Sequence, residues 1–82
     1  MDETIMAIVI DKRSTAAPTV QEILTRYGEI INLRVGFHDL HQDGNENGQI
    51  LLHLKGEMKI ITQLEQSLQK LNLVKVKTMS LN

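Results

Sequence analysis

Three histidines carry the most open chemistry in this sequence. His38 and His41 stand three apart in a polar stretch, and His53 sits on the next apolar segment. Neutral imidazoles in such a set can hold nickel, zinc or copper, with a carboxylate such as Asp39 or Asp43 completing the shell. The spacing is not specific. There is no cysteine, and a pair of loop histidines with a distant third arises readily by chance, so solvent-exposed polar residues are the weightier reading.

Other chemistry is weaker. Asp43, Asn45 and Asn47 with Gly44 and Gly48 have the look of a calcium loop, but the closing glutamate is missing and turn chemistry accounts for all of them. Ser14, Ser67 and Ser80 lack a base or an orienting carboxylate nearby in sequence, which leaves nucleophilic catalysis without support. The five glycines are scattered singly, so no phosphate-cradling loop is present. The residues do not read as an enzyme.

The elements that must position these residues follow from hydrophobic period. Thr4 to Ile10 is apolar on both faces, with Ile5, Ala7 and Val9 on one and Met6, Ile8 and Ile10 on the other, as a central strand would be. Ala16, Val20, Ile23, Leu24 and Tyr27 make one helical stripe. Ser14 or Thr15 can cap its start, Pro18 falls in its first turn, and Gly28 is placed to end it in a left-handed conformation. Ile31, Leu33 and Val35 alternate with Asn32 and Arg34. After the polar connection from Phe37 to Gly48, Ile50, Leu52 and Leu54 alternate with Leu51, His53 and Lys55. This pair reads as an antiparallel hairpin of half-buried strands. Its connection is longer than a tight hairpin needs and holds two turn signals, Asp43-Gly44 and Asn47-Gly48, so a mobile tip is expected.

Gly56 breaks the second hairpin strand, and Glu57 opens a second helix with Ile61, Leu64, Leu68 and Leu71 on one stripe. Asn72 is its expected stop, and Leu73 to Met79 reads as a last strand. Strand, helix, strand, strand, helix, strand gives an α+β, ferredoxin-like βαββαβ sandwich: a four-stranded antiparallel sheet with two helices on one face. On a strict alternation Ile31, Leu33, Val35, Ile50, Leu52, Leu54, Val74 and Val76 lie beneath the helices. Asn32, Arg34, Leu51, His53, Lys55, Lys75 and Lys77 then lie on the open face, beside an apolar strip from the first strand. An apolar strip rimmed by charge is expected to be a surface of self-association more than an anion site.

Composition bounds the rest. Eighty-two residues make one domain, 1–82, which would bury only about 60–65% of its unfolded surface. Nine basic against ten acidic residues leave a formal charge of −1. The only aromatics are Tyr27 and Phe37. Neither a field for DNA nor stacking platforms for RNA are available, and direct nucleic-acid binding is not expected. No apolar run approaches the ~18–20 residues needed to span a bilayer, and Asp2 and Glu3 replace the basic start of a signal peptide. A soluble, cytoplasmic chain is the expectation, with no membrane role.

Three segments resemble a known family. Leu33-Arg34-Val35-Gly36-Phe37, Gln49-Ile50-Leu51-Leu52-His53-Leu54 and Val74-Lys75-Val76-Lys77-Thr78 are similar to the small stand-alone iron-only hydrogenase system regulators, with nearly the whole chain aligning in order. His38 stands where that family usually has proline, and Gln42 to Gly48 looks expanded. The resemblance implies an ACT-like form of the fold, similar to the ligand-binding domain of the nickel-responsive repressor. It further implies association between copies and a small effector bound at the loop after the first strand, here Asp11, Lys12, Arg13 and Ser14. Of the histidines, His53 alone would suit a metal between subunits.

The expected function is therefore a regulatory, ligand-sensing and oligomerising module, a homo-dimer or tetramer acting through a protein partner. Its site would be the Asp11–Ser14 loop with Arg34, holding an anionic group. The ligand would be a small-molecule effector or a transition metal. Two alternatives stand beside it: an assembly module without ligand, and a nickel- or zinc-binding protein using His38, His41 and His53.

Overall fold

β1 (Asp2–Ile10) runs through the middle of a four-stranded antiparallel sheet, flanked by β3 (Gly48–Gly56) and β4 (Val74–Ser80). β2 (Ile31–His38) pairs with β3 and completes the order β2-β3-β1-β4. α1 (Ala17–Arg26) joins β1 to β2 through a short 3-10 turn, and α2 (Met58–Gln69) joins β3 to β4. This is the expected ferredoxin-like α+β arrangement. The computed structural model describes residues 1–38 and 47–82, with the backbone alone of Phe37 and His38. His41, Asp39, Asp43, Asn45 and the Asp43-Gly44 turn lie outside the described residues, as does the imidazole of His38.

The core forms where the strand and helix periods meet. Met6, Ile8 and Ile10 of β1 and Ile50, Leu52 and Leu54 of β3 are buried against Val20, Ile23 and Leu24 of α1 and Ile61, Leu64 and Leu68 of α2. Each such side chain contributes about 1.5–3 kcal/mol on full burial. Pro18 falls in the first turn of α1, where the missing N–H has no helical partner to lose.

Three local features depart from simple periodicity. The first is a β-bulge at the start of β2: Ile31 pairs with Leu54 but Leu33 pairs with His53, so Asn32 is an extra residue. The bulge inverts the parity of the strand. Leu33 and Val35, expected beneath the helices, are 59% and 44% exposed. They share the open face with their partners His53 and Leu51, while Arg34 pairs with the buried Leu52 and takes the helix-covered side at the sheet edge.

The second departure concerns helix ends. α1 stops at Tyr27 (φ −98°) and tightens into the 3-10 turn Gly28–Ile30, and Gly28 does not enter the left-handed region. Among the described non-glycine residues the positive φ is at Leu73 (φ 63°), one residue past Asn72, the expected stop of α2. The third is the start of α2. Glu57 precedes it without a side-chain cap, and the Met58 N–H donates to Asp2 Oδ2 at 3.0 Å, so β1 caps the second helix.

Candidate functional site

The loop that leaves β1 is held at both ends. Asp11 N–H donates to the Leu73 carbonyl at 3.0 Å, tying the exit of β1 to the entry of β4. Ser14 N–H donates to the Asp11 carbonyl at 2.8 Å and closes the turn. The Ser14 hydroxyl donates to the Asn72 carbonyl at 3.1 Å and accepts the Ala16 N–H at 3.0 Å, so Ser14 fixes the approach to α1 from one turn upstream. Lys12 N–H donates to Asn47 Oδ1 at 3.2 Å, bringing the start of β3 against the same loop.

Within the loop Asp11 and Arg13 form a forked pair. Arg13 Nε reaches Asp11 Oδ1 at 2.9 Å, Nη2 reaches Oδ2 at 3.0 Å, and the Arg13 N–H adds a third contact at 2.8 Å. Such bidentate pairing is strongly directional. The Arg13 side-chain hydrogen bond, aided by its backbone N–H, pulls the Asp11 carboxyl down to about 2, and the same bond raises Arg13.

A recess of about 400 Å³ opens beside this pair. Asp11, Arg13 and Lys75 line it with charge and Val9 and Leu73 with apolar side chains, and Val74, itself buried in the core, also borders it. Asn47 closes one side. Lys75 is the cross-strand partner of Val9, and it makes no ion pair among the described residues. Leu73 holds a conformation that costs a residue with a Cβ roughly 1–2 kcal/mol.

Of the residues singled out in the sequence, Asp11, Lys12, Arg13 and Ser14 are adjacent in this loop. Arg34 is not with them, because the bulge turns it to the other side of the sheet. Asn47, Leu73 and Lys75 enter the site without having been foreseen. Lys75 was readable as outward-facing, and the pairing of β4 beside β1 is what brings it to the loop. Nothing in the residue type of Leu73 signals its positive φ.

His53 lies elsewhere, on the open face, where its Nε2 stands 3.2 Å from Glu3 Oε2. Lys55 Nζ is 3.9 Å from the other Glu3 oxygen. Among the described residues no three histidine or acidic side chains gather as a metal site. The open face itself is broadly apolar. One rung across the sheet reads Leu33–His53–Ile5–Met79 and the next Val35–Leu51–Ala7–Lys77.

Sequence and fold comparisons now carry the family. The sequence model of the TM1266-like family, described as "Iron-only hydrogenase system regulator, putative", matches residues 3–78. The chain belongs to this family. The structure of the uncharacterized protein TM1266 from Thermotoga maritima is similar over 98% of this chain and 96% of that one, at 32% identity and a TM-score of 0.85. The resemblance read from the three strand segments is thereby borne out. CPII from Thiomonas intermedia K12, whose structure holds ADP, AMP and acetate, is similar in fold: 12% identity, TM-score 0.54, covering 99% of this chain and 89% of that one. No curated protein matches. No helix among the described residues is long and apolar enough to cross a membrane.

Proposed function

We propose that this chain is a small regulatory module that binds a small molecule at the β1–α1 loop and passes the signal on through self-association and a protein partner. The observation that carries this reading is the recess of about 400 Å³ beside Asp11 and Arg13. Its size falls within the roughly 300–1,000 Å³ of small-molecule sites. The family description supports the regulatory role and points to the iron-only hydrogenase system. A ligand would act by favouring one quaternary state over another. A structure of similar fold holds nucleotides and acetate, which makes both classes worth testing here.

The test is a thermal-shift scan of tag-free protein against nickel, zinc, iron(II), amino acids, carboxylates, AMP and ADP. A ligand at ~100 times its Kd adds roughly 2.7 kcal/mol. At about 4–8 °C per kcal/mol for a domain of this size, binding is conspicuous. A flat scan removes the sensing role.

A second reading is an assembly module without ligand, and one observation favours it. Leu33 and Val35 join Leu51, Ile5 and Met79 on the uncovered sheet face, so that face is more apolar than alternation alone implied. This reading expects a stable oligomer indifferent to every compound in the scan.

A further inference from the structure

The recess is specific about charge. Arg13 is occupied: two of its guanidinium nitrogens are committed to Asp11, and the carboxylate and guanidinium cancel. Lys75 is the remaining cation of the lining, with no ion pair among the described residues. Among the described residues the net charge of the lining is then one positive: Arg13 and Lys75 against Asp11. An ammonium on a flexible stem attracts an anion as a point charge. Val9, the cross-strand neighbour of Lys75, and Leu73 line the same recess and suit a short aliphatic group.

We infer that the recess is a site for a small aliphatic monocarboxylate, with Lys75 of β4 holding its carboxylate and Val9 and Leu73 receiving its hydrocarbon part. The Asp11–Arg13 pair lines the recess as a fork already paired within the loop. A phosphate or nucleotide brings two or more negative charges to a lining that offsets one, and it leaves the apolar wall unused. This inference rests on the small-molecule reading above and names the ligand class for the same site. It replaces Arg34 by Lys75 as the residue that meets the anion.

The experiment is an amide chemical-shift titration of the whole chain with isovalerate and, separately, with inorganic phosphate. Isovalerate is expected to move the amides of Asp11, Lys12, Arg13, Leu73 and Lys75 in a saturable way. Lys75→Gln is expected to weaken that binding at least tenfold, while Lys77→Gln, on the same strand face but outside the recess, leaves it unchanged. No saturable shift with isovalerate overturns the inference, as does equal affinity in Lys75→Gln. Tighter binding of phosphate than of isovalerate overturns the ligand class. A metal or nucleotide that raises the melting temperature while isovalerate does nothing sinks this inference and leaves the sensing role standing.

Discussion

The backbone of Gly56 lies so close to the side chain of Ile30 that a Cβ built on the glycine would stand 2.7 Å from Ile30 Cγ2 and 3.3 Å from its Cβ. The glycine closes β3, and the isoleucine ends the 3-10 turn that leads into β2. Gly56→Ala should therefore destabilise the fold by about 1–3 kcal/mol through overpacking. Ile30→Ala removes the closer of the two atoms. In a double-mutant cycle by urea denaturation the pair should cost less than the sum of the single changes. Additive costs would show that the contact is not what Gly56 is there for.

The Asp11 carboxyl should titrate well below an ordinary aspartate. Its pKa is lowered from 3.8 to about 2 by Arg13, so the contribution of the pair is complete above pH ~4 and is lost as pH falls toward 2. A carboxyl NMR titration should place the midpoint near 2, and Arg13→Gln should return it toward 3.8. A midpoint near 3.8 in the parent chain would mean that the fork does not persist in solution.

Thr4 is buried beneath the helices, and its hydroxyl has no hydrogen-bond partner among the described residues. An unmet buried hydroxyl costs about 1–3 kcal/mol, and valine has nearly the same shape. Thr4→Val is expected to leave the melting temperature unchanged or raise it. A clear fall would reveal that the hydroxyl is satisfied in solution.

Leu33 is exposed on the sheet face that no helix covers. Were the chain to stay monomeric, Leu33→Asp would change stability by no more than about 0.5 kcal/mol, as surface substitutions do. If that face joins two copies, the same change should shift sedimentation velocity to the smaller species while the far-ultraviolet dichroism stays intact. An unaltered sedimentation coefficient at all concentrations removes this face from the assembly.

The sequence made the architecture legible because its periods are clean. β1 is apolar on both sides, each helix has one stripe, and β3 alternates without error from Ile50 to Leu54. The Asp11–Ser14 loop was singled out through a family resemblance and not through spacing. What stayed hidden was decided by long-range contact. Gly56 looked like a strand breaker, yet it remains in β3 because Ile30 needs the room. Asp2 looked like part of a polar terminus and instead caps α2. Lys75 comes beside the Asp11 loop only through its pairing with Val9, and the positive φ of Leu73 is one that leucine does not advertise.

The extra residue in β2 has an evolutionary corollary. Because Asn32 is the extra residue, losing one codon there would leave Ile31 opposite Leu54 and Leu33 opposite His53 in an unbroken ladder, with Leu33 and Val35 still on the open face. A relative lacking this residue would keep the fold and the same apolar edge, on a strand that is straighter at its start. A one-residue gap here between family members therefore changes the twist of the edge strand and leaves the choice of partners to the side chains at positions such as Leu33 and Val35.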